Sequence, residues 1–255
     1  MDKTDAPYLS VAISAYNEEK RIGRSLRRII DYLQTQPYGW EIVVNDDGSR
    51  DRTIEVVRQF ADDRIKLLSS PVNQGKGAGI KRAVLHSRGS RILFTDADLA
   101  TPIEEVERLL ERLDESHDIA IGCRIQPDGV DMRQSQPLHR QLLGKFFHFL
   151  VWLLVLRGIK DTQSGFKCFK RSVAHRLFAE QVLSSIIFDV EILYLARKYG
   201  YRIAEVPVQW NDVGGSTMRV SLGNALRVAY DIVRIPMLHR SNREAAAQYT
   251  PQIDS

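Results

Sequence analysis

Asp96 and Asp98 stand two residues apart, directly after the apolar run Ile92-Leu93-Phe94. Two carboxylates at i and i+2 beyond a strand serve different partners. One contacts a ribose or a metal-bound water, while the other coordinates the ion. Hard divalent cations such as Mg²⁺ or Mn²⁺ prefer oxygen ligands and often take one or two carboxylates plus substrate phosphates. Such an ion neutralises a diphosphate as it leaves. Acidic turns are common, so the pair gains meaning only from its position.

Two further segments have chemistry of their own. Asn45-Asp46-Asp47-Gly48-Ser49 follows another apolar run. Asp, Ser and Gly suit a turn and a helix cap, but two adjacent acids exceed what a cap requires. A carboxylate here can accept from uracil N3–H or guanine N1–H. Asn73-Gln74-Gly75-Lys76-Gly77 is a glycine-rich turn before a helix. It is either simple turn chemistry or a close backbone approach to a nucleotide, with Lys76 lending charge. The GxxxxGK[ST] spacing of a P-loop is absent.

Alternating elements must position these residues. Apolar runs at Tyr8–Ser14, Glu41–Val44, Ile65–Leu68, Arg91–Thr95 and Asp118–Gly122 read as strands. Helical spacing falls at Glu19–Leu33 (Ile22, Leu26, Ile29, Ile30 and Leu33 on one face), Asp51–Phe60, Gln74–Ser87 and Ile103–Leu113. The alternation implies parallel strands joined by crossover helices, an α/β fold. Ligands of such sheets bind outside the carboxyl ends of the strands. Tyr16-Asn17-Glu18, Asp46-Asp47 and Asp96-Ala97-Asp98 all fall at those ends, so three segments converge on one rim.

The second half is less regular. Gln126–Gln136 is a polar loop, and Leu138–Leu156 reads as a helix with His139, Arg140 and Lys145 at its basic start. Thr162–Phe169 is expected to cross the sheet. Helices are expected at Ser172–Phe178, Val190–Tyr199 and Leu222–Leu238, and a strand at Tyr201–Val208. Residues 1–240 read as one domain and 241–255 as a mobile polar tail.

Composition narrows the class. The 255 residues are 44% hydrophobic and 27% charged, enough for a real core. The net charge of +4 suits a phosphate-bearing substrate or an anionic membrane surface, and is too weak to argue nucleic-acid binding. Cys123 and Cys168 have no metal-ligand spacing and read as small buried thiols. The polar N-terminus does not read as a signal peptide. The longest apolar stretch, Phe146 to Leu156, is far short of the ~20 residues of a membrane span. The expectation is a cytoplasmic protein, peripheral to the cytoplasmic face of a membrane.

Taken in order, Ser14-Ala15-Tyr16-Asn17-Glu18-Glu19, Asn45-Asp46-Asp47-Gly48-Ser49-Arg50-Asp51, Asn73-Gln74-Gly75-Lys76-Gly77 and Asp96-Ala97-Asp98 resemble the family 2 glycosyltransferases of the GT-A fold. The runs Phe147–Trp152, Gly158–Lys167 and Phe188–Tyr194 narrow the resemblance to dolichyl-phosphate β-glucosyltransferases and their polyprenyl-phosphate relatives, over about Tyr8 to Ile235. The resemblance implies a Rossmann-like, mostly parallel sheet flanked by helices, with C-terminal amphipathic helices. It implies an inverting transfer of glucose from UDP-glucose to a polyprenyl phosphate. Ser14, Tyr16, Glu18, Asn45 and Asp47 would line the base and ribose pocket. Asp96 and Asp98 would serve ribose and metal, with Ala97 between them also at the substrate. Lys76, Arg124 and Arg140 would contact substrate, Arg124 through phosphate. Asp161 would be the acceptor-side carboxylate, as base or as orienting group. Related enzymes place Lys after the Gly-x-Ser of a late loop. Here Thr217 follows Ser216, and Arg219 is the candidate to supply the charge. Mannose synthases often have Gln where this chain has Ala100, which weighs against the alternative donor, GDP-mannose.

The Leu138–Leu156 and Leu222–Leu238 helices combine basic and large apolar residues and suit the interface plane of a membrane. The competing reading makes them a core helix and a dimer helix, which leaves a homo-oligomer open. Two other classes compete. A nucleotidyltransferase would need a glycine-rich, basic loop right after the first strand, and Ser14–Glu19 is not one. A non-catalytic nucleotide-binding protein would have no need of Asp96, Asp98 and Asp161 together.

Overall fold

The computed structural model describes residues 6–132, 147, 150–211 and 222–240, with the side chains of 222–226 excepted. Its first half alternates as β1 (Leu9–Ala15), α1 (Ile22–Gln34), β2 (Trp40–Asp46), α2 (Thr53–Arg58), β3 (Ile65–Ser69), α3 (Lys76–Leu85), β4 (Arg91–Asp96), a 3₁₀ turn at Ile103–Glu105 leading into α4 (Val106–Glu115), and β5 (Ile119–Cys123). There follow β6 (Phe166–Lys170), α5 (Arg171–Glu180), α6 (Phe188–Lys198), β7 (Ile203–Pro207) and α7 (Leu222–Leu238).

The seven strands form one sheet in the order β3-β2-β1-β4-β6-β5-β7. β1, β2, β3 and β4 pair in parallel, as do β5 and β7; β6 is antiparallel to both β4 and β5. The expected mostly parallel sheet is therefore present, and the segment expected to cross it does so as β6. From β1 the chain winds outward through β2 to β3, then returns over α3 to place β4 on the other side of β1. That reversal is the topological switch point where open α/β sheets bind ligands.

Burial on both faces explains the continuous apolar strands. Ala12, Val43, Ile92 and Phe94 face one core with residues of α3, α5, α6 and α7; Val11, Ile13, Ile42, Val44 and Leu93 face another with α1 and α4. The alternation is the two-residue period of a strand. In α1, Ile22, Leu26, Ile29 and Leu33 are buried, the expected stripe, while Ile30 is only partly covered. Both cysteines are buried and free, and burial pushes their thiols up, to about 11 for Cys123 and about 12 for Cys168.

Of the helices that begin later than their spacing suggests, two are held back by the rim. α1 starts at Ile22 rather than Glu19 because 17–21 are taken up by the rim: Asn17 has φ 55° and Glu19 N–H donates to Asp51. α3 starts at Lys76 rather than Gln74 because Gly75 has φ 103° and the Gln74 and Gly75 amides bond to Asp47. Only 147 and 150–156 of the expected Leu138–Leu156 helix fall among the described residues, and 147 and 150–154 are helical. The tail expected at 241–255 lies outside them.

Candidate active site

The carboxyl ends of β1, β2 and β4 form the floor. Ser14 pairs in register with Asn45 on one side and Asp96 on the other. Three residues from three separate motifs thus stand in one row across the switch point. α3 presses on the row at Gly79, where a Cβ would lie 2.1 Å from Ser14 Oγ and 3.1 Å from Asn45 Nδ2. Asn45 is fully buried, and neither of its amide atoms has a protein partner among the described residues. Buried polar atoms without partners are rare in native proteins, which marks the spot as one where a further polar group belongs.

The rim loops hold one another. Asn17 N–H donates to Ser49 Oγ at 2.9 Å, and Asn17 Oδ1 accepts from Arg50 N–H at 2.9 Å. Glu18 N–H donates to Thr53 Oγ1, and the Glu18 carboxylate takes two bonds from Arg21 at 2.6 and 2.7 Å. Tyr16 is half-buried beside them. Asp46 caps its own turn, accepting from the Gly48 and Ser49 amides. Asp47 is 2% exposed and accepts from the Gln74 and Gly75 amides at 3.0 and 2.9 Å. Burial pushes its carboxyl up, against the pull of those two amides, with Asp46 adding to the rise. Its main engagement is therefore with the Gly75–Lys76 turn.

That turn is tight for a reason that spacing along the sequence does not show. A Cβ on Gly75 would lie 2.5 Å from Ser184 O, and one on Gly77 would lie 2.7 Å from Leu183 O. Both glycines let the turn approach the chain's own 183–185 backbone closely. What the turn delivers to the rim is Lys76, whose Nζ lies 2.6 Å from Asp96 Oδ1.

Asp96 and Asp98 flank Ala97, whose methyl is buried in the core below. Leu99, at φ 52°, bends the chain back so that Ala100 N–H reaches Asp98 Oδ1 at 3.2 Å. Burial raises the Asp98 carboxyl above the ordinary range, and Asp96 raises it further; the Ala100 amide, Arg21 and Lys76 oppose both. Two carboxylates that repel one another call for a cation between them. Gly165 makes room for Asp96: a Cβ there would lie 2.0 Å from its Oδ2. Oxygen donors and a glycine cradle beside Asp96 fit a hard divalent ion, while the Lys76 ammonium already offsets part of the Asp96 charge. No group of three His, Cys, Asp or Glu able to hold a metal occurs among the described residues, so such an ion would draw its other oxygens from ligand.

Arg124 and Asp161, expected as separate contacts for phosphate and acceptor, meet each other. Arg124 Nε and Nη2 donate to the two Asp161 oxygens, each at 2.7 Å, and Arg124 N–H adds a third bond at 3.0 Å. Asp161 is 1% exposed and its own N–H donates to Glu205. Arg140, Ser216 and Arg219 lie outside the described residues.

Two buried pairs beside the site escaped sequence reasoning as pairs. Lys167, fully buried in β6, donates to Asp189 and to Ser164 O, each at 2.5 Å. Glu191, also fully buried, lies 2.7 Å from His239. The signal for the first was a lysine at an inward position of the strand Phe166-Lys167-Cys168-Phe169, since a buried ammonium demands a carboxylate.

A mostly parallel sheet with one antiparallel strand, and with an acid pair, an ammonium and a polar row at its switch point, has the GT-A architecture. A solved glucosyl-3-phosphoglycerate synthase of Mycobacterium tuberculosis, in complex with Mn²⁺, UDP and glucosyl-3-phosphoglycerate, shares the fold with a TM-score of 0.59 at 17% identity, over 91% of this chain and 79% of that one. The family model for glycosyl transferase family 2 matches residues 10–178. A dolichyl-phosphate β-glucosyltransferase of Trichomonas vaginalis is 39% identical over 92% of this chain and 72% of the relative. The Homo sapiens dolichyl-phosphate β-glucosyltransferase is 35% identical over 89% and 74%. The chain belongs to glycosyl transferase family 2.

Proposed function

We propose that this glycosyltransferase moves glucose from UDP-glucose to dolichyl phosphate or a similar polyprenyl phosphate, with inversion at the sugar carbon. The reading is carried by the convergence of Asp96, Asp98 and Lys76 at the switch point of a chain 39% identical to a dolichyl-phosphate β-glucosyltransferase. An acceptor phosphate oxygen attacks the sugar C1 and the C1–O bond to the diphosphate breaks. The acceptor is already anionic and needs little deprotonation, so catalysis rests on placement and charge. Ser14, Tyr16, Glu18 and Asn45 shape the nucleoside side. Asp98, with Asp96, would hold Mg²⁺ or Mn²⁺, which when bound neutralises charge on the leaving diphosphate. Lys76 supplies a second positive charge to the same diphosphate. Asp161, buried and held by Arg124, orients that guanidinium toward phosphate rather than acting as a base.

The acceptor side faces a membrane surface. No helix among the described residues is long and apolar enough to cross a membrane. Trp152, Leu153 and Leu154 are exposed, as are Tyr230, Val233 and Met237 on one face of α7. Arg227 is exposed on the same helix, Arg240 is exposed just beyond its end, and Arg234 lies over Tyr230, a combination suited to an anionic interface.

Donor and metal are tested together, by transfer from UDP-glucose, UDP-galactose and GDP-mannose in Mg²⁺, Mn²⁺ or chelator. Preference for UDP-glucose and loss of transfer in chelator are expected. Chelator-insensitive transfer would remove the metal from this reading, and preference for GDP-mannose would remove the donor.

A further inference from the structure

The Lys76 turn does not stand alone: a chain of buried hydrogen bonds runs from it to α7. Gly77 N–H donates to Ser184 O at 2.9 Å, and Gln181 Nε2 donates to Gly77 O at 2.9 Å and to Leu183 O at 2.7 Å. The 181–185 segment is therefore the wall against which α3 begins. That segment is gripped in turn by Glu191, whose two carboxylate oxygens accept from the Val182 and Leu183 amides, each at 2.8 Å. Oε1 of Glu191 also lies 2.7 Å from His239 Nε2; a carboxylate only accepts, so Nε2 donates. His239 is 2% exposed, and its carbonyl accepts from Lys198 Nζ. A second tie joins the same two parts, from Ser185 Oγ to Asp231 Oδ2 at 2.8 Å.

We propose that Glu191 and His239 are a positioning pair for the donor site, tying α7 to the 181–185 segment so that the turn holds Lys76 against Asp96. Neither touches substrate. A core filler would do as well with apolar residues, yet here a buried acid is spent wholly on two loop amides and one imidazole. With three donors converging on its two oxygens, Glu191 fixes the height of the segment, and Ser184 O passes that position to the first turn of α3. A shift at the start of the helix carries Lys76 with it and changes where the ammonium stands against Asp96.

The proposal rests on the reading that Lys76 contacts the donor diphosphate, and the test separates the two. His239→Ala, His239→Gln and Ile232→Ala are compared, Ile232 being a fully buried apolar residue of the same helix. Hydrogen exchange over residues 75–80 needs no ligand. His239→Ala should speed it about tenfold, because the Gly77 amide loses its fixed acceptor. His239→Gln, whose amide can donate to the same oxygen, should restore slow exchange. Ile232→Ala should leave it unchanged even where melting falls equally. UDP affinity should weaken about fivefold in His239→Ala, with donor KM rising and kcat at saturating donor nearly constant. Exchange and affinity in His239→Ala that match Ile232→Ala would overturn the positioning role. Lys76→Met serves the other claim: if it binds UDP as well as the unaltered protein does, the donor contact of Lys76 is wrong, and the exchange result still decides the pair.

Discussion

At the scale of single residues, the account turns on two carboxylates and the glycine that admits one of them. Asp98 is half-buried at the rim and contributes one long bond, from the Ala100 amide. Asp98→Ala should therefore leave the melting temperature within a few degrees of the unaltered protein while transfer falls by about 100-fold or more. A variant that unfolds instead would make the residue structural. Gly165→Ala is the complementary change. Its methyl would enter the Asp96 carboxylate at 2.0 Å, whereas a methyl on Gly39 would meet its nearest neighbour at 3.7 Å. Turnover should drop at least about tenfold in Gly165→Ala, with a stability cost of about 1–3 kcal/mol from overpacking, and Gly39→Ala should change neither. Equal activity in the two variants would show that Asp96 need not stand where Gly165 lets it.

At the scale of elements, stability and chemistry occupy opposite ends of the same strands. Near the amino ends of β1 and β2, buried Glu41 accepts from Ser10 Oγ at 2.7 Å, from Lys66 Nζ at 2.9 Å and from the Arg88 amide and guanidinium. Burial alone would raise its carboxyl, but the Arg88 amide, Ser10 and Lys66 outweigh that and hold it below the ordinary glutamate range. A folded value below the unfolded one gives stability that is full above the ordinary range and drains as pH falls through the folded value. Glu41→Gln should cost about 2 kcal/mol at pH 7, and the gap to the unaltered protein should close in acid; urea midpoints measured from pH 7 to pH 3 check both. A gap that does not narrow at all in acid would contradict the assignment. At the other end, Arg124→Met should destabilise by about 3 kcal/mol because it strips the bidentate partner from buried Asp161, an effect read from the same urea titrations. Most of this layout is legible in the sequence. Apolar runs and helical spacing placed β1 to β5 and α1 to α4 within a few residues, and the acid pairs fell at strand ends. What the sequence did not show was partnership. Arg124 and Asp161 are 37 residues apart and read as two ligand contacts, yet they bond to each other. Gly75 and Gly77 read as turn chemistry or as room for a nucleotide, and their closeness to Ser184 and Leu183 was not legible. Such pairings depend on which loops the crossovers bring together, and spacing along the chain carries no record of that.

At the scale of the whole molecule, the sheet presents its donor rim while α7 presents an apolar stripe. Tyr230, Val233 and Met237 are 63%, 53% and 63% exposed, at i, i+3 and i+7. Replacing all three by Ser should weaken binding to vesicles containing phosphatidylserine about tenfold or more with little change in melting; unchanged sedimentation with vesicles would place the membrane-facing surface elsewhere. His239 directly follows the same helix, so the surface that would meet lipid and the turn that carries Lys76 are parts of one connected structure. The central claim is that sugar leaves the nucleotide for a lipid phosphate, and it is tested most directly by incubating the protein with UDP-[¹⁴C]glucose, Mn²⁺ and dolichyl phosphate, then partitioning the products between chloroform–methanol and water. The account predicts label in the organic phase as a β-linked glucosyl phosphate, dependent on both the lipid and Asp98. Label confined to the aqueous phase, as free glucose or a soluble conjugate, would contradict it.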